Sequence, residues 1–385
     1  MFWKKVIFLA LLVLFFISGV SLAMNVFDND FRKNWQEYFS DVKKLNEYTN
    51  TNSVELKNLK VQDFDLEGVI FNGATFQGVT FENITAEHSK FRKTKFINCK
   101  FINCKFWEAE FTDTVFEDCE FIKSNFLQSI VINVKIINSK SIESEFDGLE
   151  GNELFIELSD FTRRSSFTDS RIPFKFKNTI LSGVNMMGLD NLQSLVIEGG
   201  TLEEVNFGYS HFSDIILRRA KQGESPVRFN QASAKSITFE DVDMVRGVSL
   251  ASVQAANVRI SNSRMKVSFA RSVIPKVSAR DSEFFVFGLS EANMPHVTLV
   301  NSRIHYLSLW DGSAEEMIIQ DSEINQIEGE NFKGNHILWH NVTLDGEINL
   351  ANAQVKDFRP TRLKRGPNLN LITTGSNLRF DFSAE

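Results

Sequence analysis

Histidine and cysteine side chains carry out much of the catalysis and metal binding in proteins, and this sequence has few of either. Only His336 and His340 lie close together, four residues apart. In a coil rich in short strands, that separation would send the two rings to opposite sides of a corner. The sequence therefore predicts no metal site and no cofactor. The six histidines are at positions 88, 211, 296, 305, 336 and 340.

Motifs that bind nucleotides or activate a nucleophile are missing as well. The sequence has no glycine-rich phosphate loop, no Cys-x-x-Cys pair and no nucleophile elbow. Its 49 Asp and Glu residues are so numerous that some pair would reach the separation of glycosidase carboxylates by chance. We therefore expect a protein that is not an enzyme and has no catalytic residues.

The composition is that of a folded soluble chain, with two unusual counts. Charged residues make up 24% and hydrophobic residues 43% of the 385 positions, but there are 37 phenylalanines and only 6 prolines. So many phenylalanines indicate a structural demand that repeats along the chain. The net charge of −7 provides no basic field for nucleic acid, so no nucleic-acid partner is expected.

Residues 1–23 have the pattern of a secretory signal peptide. Lys4 and Lys5 precede an apolar run, and the small residues Ser21 and Ala23 suit a cut after position 23. The apolar run of 15 residues is shorter than the roughly 20 needed to span a bilayer. We expect export to the periplasm or beyond, with membrane contact only before cleavage. The alternative is an inner-membrane anchor formed by an uncleaved signal.

A phenylalanine recurs every five residues along the next part of the chain, and a small or β-branched residue precedes each one by two positions. Neither a strand nor an α-helix could bury this pattern. A chain that turns a corner every five residues could, because each side would then point two side chains at a common axis. The predicted inward structural column is Phe71, Phe76, Phe81, Phe91, Phe96, Phe101, Phe106, Phe111, Phe116, Phe121 and Phe126, with Cys99, Cys104 and Cys119 among the small residues.

This pattern resembles the signature of the pentapeptide-repeat family, which has a central Leu or Phe and a small residue two positions earlier. Cys99-Lys100-Phe101-Ile102-Asn103 and the five residues after it match that signature directly. The resemblance implies an all-β solenoid, a right-handed quadrilateral β-helix with four repeats, about 20 residues, per coil. Some members of the family mimic duplex DNA and bind DNA gyrase.

Charges at a separation of 20 residues support such coils independently. Residues one coil apart should stack at about 4.8 Å, the spacing of neighbouring strands. Opposite charges placed there would help to set the register of the coils. The pairs are Lys90 with Glu110, Lys93 with Asp113, and Lys100 with Glu120.

The three cysteines all belong to the small inward column, where cysteine acts as a small hydrophobic residue. Cys99 and Cys119 are one coil apart and should stack on the same side. Their Cα separation would permit a disulfide. We expect buried free thiols, and a bridge between Cys99 and Cys119 is the alternative.

The sequence divides into a helical cap at 24–50, regular Phe-centred repeats at 51–146 and looser repeats at 176–355. Within the looser repeats, a coil-length repeat starts at Asp241, Asn262, Asp281, Asn301, Asp321 and Asn341. In the cap, Asp28 can begin a short helix that would cover the first coil or dock a partner. Residues 147–175 break the series and indicate an insertion or a seam. Residues 356–385 are expected to form a loose tail or cap.

An apolar patch is the most informative feature of the predicted surface. Ile102, Trp107, Ile122 and Leu127 each follow an inward phenylalanine and should therefore point outward. A contiguous exposed apolar patch often marks an interaction site. The patch is predicted to bind a protein or glycan partner or a second copy of the chain. The alternative is that residues 147–175 or the N-terminal region fold over it.

These features favour an exported, non-enzymatic structural or binding protein of the bacterial cell envelope. The resemblance suggests a DNA-mimicking, gyrase-binding protein as an alternative, but a signal peptide would export the chain away from gyrase. A polysaccharide-active β-helix enzyme is a further alternative, although coils of 20 residues leave little room for a loop-lined cleft. The sequence names neither the partner nor the biological process.

Overall fold

A computed structural model describes residues 31, 33–191 and 194–382, and it is a β-solenoid of about 16 turns with parallel sheets and a short helical N-terminus. The predicted all-β, right-handed quadrilateral β-helix is thereby confirmed. The predicted signal peptide and Asp28 lie outside the described residues. Among the residues described, none of the helices is both long and apolar enough to cross a membrane.

The first coil defines four sides, which we number in chain order. Side 1 starts with Glu55–Lys57, side 2 with Lys60–Gln62, side 3 with the single bridge residue Asp65, and side 4 with Ile70–Asn72. Each later coil adds strands to these sides in parallel register, as in Glu55↔Thr75. The stack therefore grows by one coil for every 20 or so residues.

The strand bounds are as follows. Side 1, joined later by side 4, contains Glu55–Lys57, Thr75–Gln77, Lys95–Ile97, Val115–Glu117, Val134–Ile137, Leu154–Glu157, Phe174–Lys177, Asp190–Asn191, Leu195–Glu198, His211–Arg218, Ser233–Glu240, Gln254–Ser261, Lys276–Arg280, His296–Val300, Ser313–Gln320, Lys333–His340 and Gln354–Thr361. Side 4 in the first coils contains Ile70–Asn72, Lys90–Arg92, Glu110–Thr112, Ile130–Ile132 and Glu150–Gly151. Side 2 and its continuation contain Lys60–Gln62, Thr80–Glu82, Lys100–Ile102, Glu120–Ile122, Lys140–Ile142, Asp160–Thr162, Ile180–Ser182, Thr201–Glu203, Lys221–Gln222, Val227–Arg228, Asp243–Ser249, Arg264–Ser268, Glu283–Gly288, Arg303–Ile304, Leu307–Ser308, Glu323–Ile324, Ile327–Glu328, Thr343–Leu344, Glu347–Asn349, Lys364–Arg365 and Asn370–Ile372.

Stacked phenylalanine rings fill the axis of the regular coils. Along one side the rings lie nearly parallel, as in Phe96 and Phe116, whose centroids are 4.9 Å apart at an interplanar angle of 6°. Between adjacent sides they meet edge to face, as in Phe96 and Phe101 at 5.2 Å and 73°. Both arrangements are favourable for aromatic rings, so the spacing of the coils and the packing of the core reinforce each other.

Hydroxyl groups in the small inward column donate hydrogen bonds to backbone carbonyl groups, many of them in the preceding coil. The hydroxyl of Thr114 donates to the carbonyl oxygen of Phe91 at 2.8 Å, and that of Ser124 donates to the carbonyl oxygen of Phe101 at 3.1 Å. A buried hydroxyl without such a partner would destabilise the fold. This geometry explains why the column tolerates Ser and Thr as well as Val, Ala and Cys.

The segment 147–175 is part of the solenoid, which corrects the expectation of an insertion. Leu154 pairs in register with Val134 on one side and with Phe174 on the other. One extra residue is absorbed at the corner Arg163-Arg164, where both residues have positive φ. The five-residue pattern was obscured because leucines occupy the usually small column and Gly151 occupies a central position.

In the second half, sides 4 and 1 join into single strands. His211–Arg218 pairs with both Asp190–Asn191 and Leu195–Glu198, which are separate strands in the preceding coil. The corner between sides 4 and 1 is still marked, because two consecutive residues inside the joined strand point outward. His336 and His340 therefore lie in the same strand, both outward, and the expectation that they face opposite sides of a corner was wrong.

The C-terminal residues also continue the stack. Gln354–Thr361, Lys364–Arg365 and Asn370–Ile372 form a further coil, so the repeat does not end at Val355. Beyond them, Phe380 packs against Trp339 and Phe358 at ring distances of 6.0 and 5.1 Å. The C-terminal region is thus a coil followed by a packed closing segment rather than a loose tail.

An asparagine amide closes a strand edge at each end of the solenoid. At the N-terminal end, helical residues 33–39 are followed by the helix Val42–Thr49, which contains Asn46. The side chain of Asn46 accepts a hydrogen bond from the backbone N–H of Ile70 at 2.7 Å and donates one to the carbonyl of Gly68 at 3.1 Å. Asn377 likewise accepts from Val355 N–H at 2.9 Å and donates to its carbonyl at 2.7 Å. These side chains take the place of a neighbouring strand.

We expect Asn46→Ala to destabilise the N-terminal coil by about 1–2 kcal/mol, because the N–H of Ile70 loses its partner. Faster hydrogen exchange confined to the strand Ile70–Asn72 would report the loss. Lys43→Ala, an exposed change on the same helix, serves as the control. Unchanged exchange in the Asn46 variant would show that the amide does not cap the edge.

Candidate functional site

The predicted patch residues Ile102 and Ile122 form an apolar ladder on side 2. They are direct register partners on adjacent strands, and Ile142 continues the ladder on the next coil. All three side chains are half-buried. A short row of isoleucines thus faces outward where the preceding coil carries Glu82.

Trp107 and Leu127 lie on side 3, at the turn that ends each repeat there. The two residues are one coil apart, with the N–H of Glu108 donating to the carbonyl of Leu127 at 3.0 Å. Trp107 is 40% exposed, and its indole Nε1 donates to Oε1 of Gln128 at 2.9 Å. The ring is therefore held in place while much of it faces solvent.

The four patch residues occupy two adjacent sides rather than one flat surface. The corner at Asn103, which has positive φ, separates Ile102 from Trp107. Trp107 and Leu127 also line an open groove of about 480 Å³ with Lys105, Lys123, Asn125, Glu87, Glu143 and Glu145. The segment 147–175 does not cover the patch, because it lies within the stack of coils and leaves Trp107 exposed.

The predicted structural column lies at the axis. Each of its phenylalanines and all three cysteines are at least 95% buried. The cysteines are free thiols in this structure. Burial raises the pKa of the Cys104 thiol to about 11 and raises that of Cys119 as well. The hydrogen bond with Cys119 lowers the pKa of the Cys99 thiol, the direction that a reactive thiolate needs, but that thiol is fully buried.

A second open groove of about 750 Å³ runs along the coil-length repeat of the second half. Asparagine and aspartate alternate at its corner and bond to one another, as in Asn301 to Asp281 at 2.6 Å. Arginine and glutamate alternate beside them, with Arg303 and Glu323 3.0 Å apart. Opposite charges thus neutralise each other from coil to coil.

Several carboxyl groups of the described residues have a pKa outside its usual range. The hydrogen bond from His305 is the main cause that lowers the pKa of Glu283. Each carboxyl group whose pKa departs from its usual value has it lowered, whereas a general acid needs it raised. Within the described part of the chain, no group of three or more His, Cys, Asp and Glu side chains could hold a metal ion. The carboxyl groups are Glu110, Asp214, Glu283, Glu291, Asp321, Asp345 and Asp357.

Two further exposed aromatic residues were not singled out from the sequence. Tyr209 is 55% and Trp310 is 39% exposed, and both lie on the same side-3 turn as Trp107. Because some coils contain one residue more or fewer than 20, neither residue lies at a multiple of 20 residues from Trp107. Counting backbone pairings rather than residues would have aligned them.

Comparison with known proteins identifies the repeat. The family described as Pentapeptide repeats matches residues 86–129 with 8 copies. No curated protein matches the chain significantly.

Solved structures show only a weak likeness. QnrB1, a plasmid-mediated fluoroquinolone resistance protein, is 16% identical over 58% of this chain and 92% of its own, with a TM-score of 0.27. HetL, a pentapeptide repeat protein involved in heterocyst differentiation regulation from Nostoc sp. strain PCC 7120, is 12% identical over 66% and 96%, with a TM-score of 0.27. The mannuronan C-5 epimerase AlgE4 A-module of Azotobacter vinelandii is 11% identical over 87% and 96%, with a TM-score of 0.24. Scores this low support no argument about function.

We expect none of the three thiols to react with a disulfide reagent such as DTNB in the folded protein at pH 8, because all three are buried and the reagent cannot reach them. Lys105→Cys, at an exposed position, should add one reactive thiol. All three native thiols should react after unfolding without reductant. A single thiol at that stage would show that Cys99 and Cys119 are bridged.

Proposed function

Because this chain carries pentapeptide repeats built into a continuous solenoid, we propose that it is an exported, non-enzymatic structural or binding protein of the bacterial cell envelope. Its coils present rigid outer sides to a partner. The observation that carries the proposal is the outward apolar ladder of Ile102 and Ile122 next to the exposed ring of Trp107.

The filled axis supports a binding role over an enzymatic one. Phenylalanine rings and small side chains occupy the inward positions, and the cavity among the rings around Phe121 measures only about 20 Å³. Binding must therefore take place on the outer sides. The parallel pairing of every coil with the next makes those sides stiff, so a bound partner meets preorganised side chains.

The charge pattern disfavours mimicry of DNA. Lys90 lies 3.5 Å from Glu110, and Lys100 lies 2.8 Å from Glu120, as the 20-residue spacing predicted. Asp113 instead accepts a hydrogen bond from Asn133. A duplex mimic needs rows of uncompensated acids, whereas this surface alternates its charges.

We expect the mature protein to begin at Met24 and to fractionate with the periplasm or the medium. N-terminal sequencing of protein from fractionated cells measures both. Replacing Val13 by Asp in the apolar run should retain the protein in the cytoplasm, because a charge disrupts the hydrophobic region of a signal peptide. A full-length protein in the cytosol would contradict export.

We expect a photoreactive amino acid at position 107 to crosslink in intact cells to another molecule or to a second copy of the chain. The same amino acid at position 158, where Leu158 is 56% exposed at a distant corner, is the matched control. Mass spectrometry identifies the products. Crosslinks only within the chain, or equal yields at both positions, would remove the patch from the proposed function.

A further inference from the structure

Three exposed aromatic residues stand on one edge of the solenoid at equal intervals. Trp107 and Trp310 occupy the first position of the two-residue turn on side 3, and Tyr209 occupies the second position of the same turn. They are 40%, 39% and 55% exposed. We call this edge the aromatic ridge, defined by Trp107, Tyr209 and Trp310.

The backbone pairing fixes their spacing. From the turn of Trp107, successive coils pass through Leu127, Asp147, Thr168, Met187 and Gly208, each linked by an N–H to carbonyl bond. Five further links lead from Tyr209 through Asn230, Ala251, Ala270 and Ser290 to Trp310. At about 4.8 Å per coil, the turns that carry neighbouring rings are about 24 Å apart along the stack.

Hydrogen-bonding side chains surround the rings of the aromatic ridge. The ring of His88 lies 5.9 Å from that of Trp107, and the His88 imidazole lies 3.3 Å from Glu108. The carbonyl of Trp310 accepts a hydrogen bond from the backbone N–H of Glu291. The carboxylate of Glu291 in turn forms an ion pair with Arg271 at 2.9 Å. The rings of Trp107 and Trp310 thus lie near groups that can bond to hydroxyls.

Such a ridge does not have the anatomy of a protein interface. Protein partners bury a contiguous apolar core inside a polar rim. Here the apolar surface is interrupted, because the turns between the rings carry Leu127, Asp147, Thr168, Met187, Gly208, Asn230, Ala251, Ala270 and Ser290. A polysaccharide suits it better, because a pyranose ring offers a C–H face to an aromatic plane and hydroxyls to the polar groups beside it. Isolated rings held at regular intervals along paired coils favour a ligand that is itself long and repetitive.

We propose that the aromatic ridge binds an extended polysaccharide strand, with separate sugar rings stacked on Trp107, Tyr209 and Trp310. This inference rests on the proposed binding function and specifies its partner. If the chain is exported as proposed, the glycan strands of peptidoglycan are such a ligand. Three weak contacts on one polymer combine by effective concentration, so the polymer binds far more tightly than a short oligosaccharide that reaches a single ring.

The test is co-sedimentation of the mature full-length chain with insoluble peptidoglycan and, separately, with insoluble chitin. We expect saturable binding to at least one, weakened about 3- to 10-fold by each of Trp107→Ala, Tyr209→Ala and Trp310→Ala, and about 100-fold or more by the triple variant. Leu158→Ala removes a side chain that is 56% exposed at a corner between sides 1 and 2, and this control variant should bind normally. Circular dichroism verifies that each variant is folded.

Soluble N-acetylglucosamine oligomers provide the second measurement. A trisaccharide is too short to reach from one ring to the next and should compete weakly, whereas long oligomers should compete strongly. Equal binding by the triple variant, or no binding to either polymer, would overturn the proposal. Crosslinks from position 107 to a protein, together with absent glycan binding, would overturn it while leaving the proposed binding function intact.

Discussion

The stacking of inward side chains from one coil to the next is the interaction on which the rest of this structure depends. Parallel strands lie about 4.8 Å apart, and aromatic rings stack comfortably at nearly the same distance, as Phe91 and Phe111 do at 4.9 Å. A ring at the centre of each side leaves room for only a small residue two positions earlier. Two of every five positions are thereby committed to the core.

A solenoid held together in this way is open at both ends, and this chain closes each end with the same chemistry. Asn46 and Asn377 each offer one acceptor and one donor to the backbone of a terminal coil. Aromatic packing completes both closures, through Phe39 against Phe71 at 6.0 Å and Phe380 against Phe358. Satisfying the edge prevents terminal strands from recruiting other chains.

The outer positions are released from the core and can vary with function. In the first half they carry the Ile102 ladder and the groove beside Trp107; in the second half they carry alternating charges that neutralise one another. Because every coil is paired to its neighbours, side chains far apart in sequence are held on one edge at multiples of the coil spacing. The solenoid therefore fixes the distances between the side chains that a bound partner would contact.

The sequence by itself determined the repeat, the coil length and the identity of the inward residues, because a ring every five residues can be buried in few other ways. It also located the Ile102 and Trp107 neighbourhood, since position within the repeat tells which side chains face out. Only the tertiary structure decided that residues 147–175 continue the stack, that His336 and His340 face the same way, and that Tyr209 and Trp310 share an edge with Trp107. Single residues added or lost at corners accumulate along the chain, and only backbone pairing between coils records how each coil absorbs them.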